Sequence, residues 1–175
     1  MKRLGILRHA KSDWDDLSQR DFDRGLNARG RRGAALMGAH IRSNYAGWDQ
    51  LLASPAQRVK ATLAEAALGI QADYDQSLYL ADPATLLRQL RAVPAEADSV
   101  LLVGHNPGLQ ELALDLVAPG GENAHFSAVL MKYPTAGFAV FECDIEDWAD
   151  LGAGCGRIVH FTRPRDLDPD LGPER

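Results

Sequence analysis

Only two cysteines, Cys143 and Cys155, occur in the 175 residues, and their spacing matches neither a metal knuckle nor a redox pair. A disulfide framework and a thiolate metal site are thereby excluded. The pair reads as one core thiol and one loop thiol in a reducing compartment. No stretch comes near the roughly 20 apolar residues of a membrane span. The four apolar residues between Arg3 and Arg8 are too few for a signal-peptide core, so a cytoplasmic protein with no membrane partner is expected. Basic residues are also in short supply. Lys and Arg number 19 against 24 acidic residues, a net charge of -5, whereas a general nucleic-acid binder needs a basic excess on one face. Any positive potential must be local.

What is present is a globular composition, 46% hydrophobic and 25% charged, in a chain long enough for one domain with its own core. Short apolar runs alternate with amphipathic ones, which predicts an α/β fold, a mostly parallel central sheet flanked by helices. Leu4 to Leu7, Leu51 to Ala53 and Ser99 to Val103 read as buried strands. Helices are predicted over Ala28 to Asn44, from Ser54 as N-cap with Pro55 at the first helical position, after Pro83 and after Pro107. Gly137 to Phe141 and Arg157 to Phe161 read as later strands, joined by a polar, Gly-rich connection. Residues 1 to 165 form one expected domain. From Pro164 the prolines and alternating charges read as a tail, with 166 to 175 flexible.

Charged residues follow three of the strands at once. Arg8-His9 ends the first, Ser54-Pro55-Ala56-Gln57-Arg58 the second, and Gly104-His105-Asn106-Pro107-Gly108 the third. Open α/β sheets keep their ligand crevices at such C-terminal strand ends. Two arginines and two histidines there suit a tetrahedral dianion and point to a phosphoryl ligand. Taken singly, each group has a plain reading as a surface pair, a solvated helix charge or a turn residue. Their coincidence on three strand ends favours a site. His9 is the candidate nucleophile, since a neutral imidazole attacks phosphorus well and neighbouring guanidiniums keep it neutral. Arg8 and Arg58 would neutralise the phosphoryl oxygens, helped by Ser54 and the helix amides after it, and His105 would donate to them or exchange protons with water.

Leu7-Arg8-His9-Ala10-Lys11-Ser12, Ser54-Pro55-Ala56-Gln57-Arg58 and Val103-Gly104-His105-Asn106-Pro107-Gly108 together resemble, in order and spacing, the motifs of the histidine phosphatase superfamily. The segment from Asp23 to Gly30 and the late Pro134-Thr135 look most like its SixA-type phosphohistidine phosphatases. The resemblance spans roughly residues 2 to 165. It implies a phosphoglycerate mutase-like fold, a phosphohistidine intermediate on His9, a phosphate pocket of Arg8, Arg58 and His105, and no metal or other cofactor. Arg24 stands where the family often has Arg-Pro-Leu-Thr, and it is a candidate for the pocket as well as for a solvated loop charge. Gly25 replaces the usual proline.

A missing residue bears on the substrate. Mutase-like relatives carry a glutamate acid after the third strand, and residues 66 to 95 contain none. Asp82, before Pro83, is the carboxylate placed to substitute, yet Asp before Pro is also a good helix cap. A phosphorylated histidine releases imidazole, of pKa about 6.5, and needs less help from an acid than an ester does. The expected reaction is therefore dephosphorylation of phosphohistidine in a protein or peptide. The alternatives are a phosphomonoesterase for a small phosphorylated metabolite with Asp82 as acid, or a phosphate-recognising module without turnover. His40 on a helix, His125 in a loop and His160 in a strand read as structural. The Asp13 to Asp16 cluster around Trp14 reads as a pocket mouth or a solvated turn. Arg20, Arg24, Arg29, Arg31 and Arg32 form a basic patch, mostly a solvated helix face.

Overall fold

The computed structural model describes residues 1 to 173. Six strands form one sheet in the order β3-β2-β4-β1-β5-β6, with β1 at Lys2–Arg8, β2 at Gln50–Ala53, β3 at Ala72–Tyr74, β4 at Ser99–Gly104, β5 at Phe138–Cys143 and β6 at Gly156–Thr162. Only β5 runs against the others. The sheet is mostly parallel, as the alternating pattern predicts. β4, buried at all six residues, is the continuous apolar run that a strand covered on both faces requires.

Side chains alternate across this sheet into two cores. Leu7, Leu51, Leu101 and Val103 face α1 (Ala28–Asn44) and α2 (Gln57–Ala66), meeting Met37, Ile41 and Val59. Leu4, Ile6, Val100 and Leu102 face the opposite layer, α3 (Pro83–Arg91), α4 (Gly108–Asp115) and α5 (Ala124–Met131), meeting Leu86, Leu90, Leu109 and Val129. Each fully buried side chain of this kind contributes about 1.5–3 kcal/mol, and β1 and β4, with helices on both faces, are fixed most firmly. Their C-terminal ends carry His9 and His105. The chain leaves β1 toward one edge and β4 toward the other, so the switch point lies between these two strands.

Several local readings need correction. α2 starts at Gln57 with Ala56 as its cap, not at Pro55, because the Ser54 side chain is directed to His105. β3 and α5 were not anticipated. β3 is a three-residue, mostly exposed edge strand with no apolar run, and α5 is apolar on nearly every side, so neither shows a clear period. His125 accordingly lies on α5 rather than in a loop. The Gly-rich connection before β6 buries Trp148 completely, its Nε1–H donating to the Ala97 carbonyl at 2.7 Å.

The segment read as a tail is structured. Pro164–Leu167 forms the short helix α6, closed by reciprocal Arg163 and Asp166 capping bonds, and Pro164 is buried. Arg32 pairs with Asp168, and Arg29 donates to the carbonyls of Asp170, at 2.8 Å, and Gly172. These contacts come from α1, across the fold, and no property of the segment's composition announces them. The last two residues of the expected tail, 174 and 175, lie outside the described residues. No helix among the described residues is long and apolar enough to cross a membrane.

Candidate active site

The three strand ends converge. Arg8, His9, Arg58 and His105 line one open pocket of about 550 Å³, together with Lys11, Ser12, Trp14, Asp21, Leu80, Asn106, Lys132, Pro134 and Thr135. Sheet hydrogen bonding sets their backbone positions. His9 N–H donates to the Gly104 carbonyl at 3.1 Å, and Arg8 N–H to the Gly137 carbonyl at 3.1 Å.

His9 is buried, with Nδ1 2.7 Å from the carbonyl oxygen of Ala10. A carbonyl accepts only, so Nδ1 carries the proton and the unprotonated nitrogen is Nε2. Burial drives the ring's pKa down, and the Arg8 and Arg58 charges reinforce this against the Ala10 hydrogen bond and Asp21, leaving it at about 3. The imidazole is neutral and nucleophilic at pH 7. His105 is lowered to about 3 as well, by burial first and then by His9 and Arg58. The two rings lie 5.2 Å apart, centre to centre.

Ser54 is fully buried, and its hydroxyl lies 2.7 Å from His105 Nε2. The same oxygen accepts the Ala56 N–H at 3.3 Å and keeps its proton and a second lone pair for His105, so the contact fits a ring proton on either Nε2 or Nδ1. That Nδ1 is buried without a protein partner among the described residues, as is Nε of Arg8. Two buried nitrogens, one of them the obligate donor Nε of Arg8, thus stand without protein partners in a pocket lined by cations, which suits an anionic ligand. Arg8 Nη1 donates to the Tyr133 carbonyl at 2.9 Å, and burial together with the Arg58 charge lowers its pKa. Ser54 bonds to His105 and does not itself line the pocket.

Two further expectations do not reach the pocket. Asp82 is exposed, accepts the Thr85 N–H at 2.8 Å as the cap of α3, and lines a different depression with Leu112 and Leu116. Arg24 is buried beneath the 13–19 loop, with its guanidinium donating to the carbonyls of Asp13, Asp16 and Gln19. It holds that loop and packs under Trp14 at 4.0 Å. The cluster around Trp14 divides accordingly: Trp14 lines the pocket, and Asp13 and Asp16 bond to nearby backbone. The basic patch disperses too, since Arg20 pairs with Asp23, Arg24 is buried, and Arg29 and Arg32 bind the α6 segment. His40 and His160 meet each other at 2.9 Å between Nε2 atoms, away from the pocket. No group of His, Cys, Asp or Glu suited to a metal ion occurs among the described residues.

Asp21 and the Tyr79 hydroxyl that donates to it escaped the sequence reading. Asp21, the pocket's only lining carboxylate among the described residues, accepts from Arg58 Nη2 at 3.0 Å and from the Tyr79 hydroxyl. Slight burial pulls its pKa up, but the hydrogen bonds from Tyr79 and Arg58 and the Arg58 charge outweigh this and hold it below the ordinary carboxylate range. Asp21 lies among the many polar residues of the β1–α1 connection. Nothing local in the sequence separates it from them.

Known proteins resemble this chain in sequence and in fold. Residues 4–80 match the model of the histidine phosphatase superfamily (branch 1). A functionally uncharacterised Mycobacterium tuberculosis protein is 37% identical over 160 residues, 91% of this chain and all of that one. A solved structure from Nakamurella multipartitia, provisionally described as the phosphohistidine phosphatase SixA, superimposes with a TM-score of 0.83 at 28% identity, over 93% of this chain and 96% of that one. A similarly described Agrobacterium tumefaciens structure gives 0.78 at 31% identity, over 93% and 98%.

Proposed function

The chain belongs to the histidine phosphatase superfamily, and from that premise we propose that it is a metal-independent phosphatase that passes the phosphoryl group through His9, acting on phosphohistidine in a protein or peptide. The observation that carries the proposal is the His9 hydrogen bond to Ala10, which leaves Nε2 unprotonated beside two arginines.

In the first step Nε2 attacks phosphorus in line. The phosphorus bond to the substrate's nitrogen breaks, a phosphorus bond to Nε2 forms, and the substrate ring, protonated beforehand on its other nitrogen, departs as neutral imidazole. Arg8 and Arg58 neutralise the equatorial oxygens, with His105 Nδ1–H donating to one of them. In the second step water attacks the phosphorylated His9. The bond to Nε2 breaks, a phosphorus–oxygen bond forms, and the water proton passes to Asp21, which is ionised and lines the same pocket.

The acid supply favours phosphohistidine over an ester. Asp82 caps a helix outside the pocket and Asp21 is held ionised, so among the described residues no protonated carboxyl is placed to assist an alkoxide. An imidazole leaving group needs little such help. The SixA descriptions of the two solved structures support the same substrate class. The test is hydrolysis of a phosphohistidine peptide beside an aryl phosphate, in chelator, by wild type and His9→Ala. Faster cleavage of the peptide and an inactive variant support the proposal. Cleavage of the ester alone would replace it with the metabolite phosphatase, and cleavage of neither with the binding module.

A further inference from the structure

We propose that Trp14 and Leu80 form an apolar clamp at the mouth of the pocket, a subsite for a flat ring directly attached to the phosphoryl group. The inference deepens the phosphatase reading and rests on it for the position of the phosphoryl group. It does not depend on whether the cleaved bond is to nitrogen or oxygen.

Leu80 supplies the first observation. Its φ is +51°, in the left-handed region that branched apolar residues rarely adopt, and its side chain is 55% exposed. Burial does not compensate this strain. The backbone is pinned on both sides instead. Before Leu80, the Tyr79 N–H donates to the Gln76 carbonyl at 3.1 Å, while its ring meets Phe22 edge-on at 5.0 Å and its hydroxyl donates to Asp21. After Leu80, the Ala81 carbonyl lies so close to Gly108 that a Cβ there would come within 2.0 Å of it, and Asp82 then caps α3. A strained residue held by its surroundings and turned to a ligand pocket calls for a functional reason.

Trp14 supplies the second. It is 57% exposed yet held in one pose: Nε1–H donates to the Ser12 hydroxyl at 2.9 Å, and the ring lies over the buried Arg24 guanidinium at 4.0 Å. Single exposed apolar residues are ordinary on a protein surface. Here two of them line the same pocket as Arg8, His9, Arg58 and His105. A phosphoryl group on those four residues leaves its substituent facing the remaining lining, where Trp14 and Leu80 are the two large exposed apolar side chains. An indole face and an isobutyl group favour a ring there, the imidazole of phosphohistidine or a phenyl, over a small polar substituent. The buried Arg24, brought to no phosphate, is explained as the support of Trp14.

The test compares phenylphosphonate with methylphosphonate, both inert to hydrolysis, by titration calorimetry. Wild type should prefer the phenyl compound about tenfold, and Trp14→Ala or Leu80→Asn should each reduce that preference to about threefold or less. Because Asn adopts left-handed backbone readily, Leu80→Asn should melt at or above the wild-type temperature, whereas a residue kept for packing would lower it. Equal wild-type affinities, or a preference that survives both variants, would overturn the clamp. Cleavage of the phosphohistidine peptide is read separately. A preference lost in the variants with no peptide cleavage keeps the clamp and ends the phosphohistidine reading, and peptide cleavage with no preference does the reverse.

Discussion

Arg58 is held by Asp21 through two bonds, Nη2 to the carboxylate Oδ2 at 3.0 Å and Nη1 to the backbone carbonyl at 2.8 Å. One residue therefore orients Arg58 and also places an ionised carboxylate in the pocket that His9 lines. Asp21→Asn keeps a hydrogen-bond acceptor for Arg58 and removes the proton acceptor. Turnover should fall about 100-fold with phosphorylated His9 accumulating, and inorganic phosphate should bind no more weakly, since a repelling charge has gone. Quenched-flow measurement of bound phosphate checks this, and slow turnover without accumulation would remove Asp21 from the second step.

Asp82 serves the helix. Asp82→Ala should lower stability by about 1 kcal/mol through the lost Thr85 cap and leave kcat/KM for both phosphohistidine and aryl phosphate substrates unchanged. Denaturant melts and steady-state kinetics measure the two separately. A selective loss of ester cleavage would return Asp82 to the role of acid.

His9 and His105 are buried as neutral rings, both at about pH 3 in the folded protein against about 6.5 in an unfolded chain. Between those values the unfolded chain takes up two protons that the folded protein does not. Stability conferred by the neutral rings is therefore fully present above pH 6.5 and is lost as pH falls toward 3. The loss approaches about 2.7 kcal/mol per pH unit from this pair. Urea melts at pH 7.5 and 5 should show it, and His9→Ala should show roughly half of that pair's share. Equal slopes in wild type and variant would mean that His9 is not held neutral.

Gly30 stands where a Cβ would lie 2.1 Å from the Lys11 carbonyl, two residues beyond His9. Gly30→Ala should cost about 1–3 kcal/mol by overpacking and should lower activity per folded molecule as well, because the displaced segment carries His9. Kinetics on the folded fraction at low temperature separate the two effects.

How far the sequence discloses this site depends on the range of the interactions that build it. Arg8, His9, Arg58 and His105 are legible because each directly follows, or lies a few residues beyond, an apolar run, and a strand's end fixes where the next side chains go. The bounds of α1 are legible for a similar reason, since Asn27 caps it by accepting the Gly30 N–H at 2.7 Å. Asp21 and Tyr79 join the site only when the β1–α1 connection folds over α2, 37 and 58 residues apart along the chain. Ser54 looked like a cap by its local sequence, and a tertiary bond to His105 redirected it. The chain after Pro164 is polar by composition and ordered by arginines from α1.

The most direct measurement is to mix the protein with a phosphohistidine peptide for milliseconds, quench in alkali, and locate the phosphoryl group by mass spectrometry. A phosphoryl group is expected on His9 in wild type, more of it in Asp21→Asn, and none, with no turnover, in His9→Ala. Continued peptide hydrolysis by His9→Ala, or turnover with His9 never modified, would contradict this.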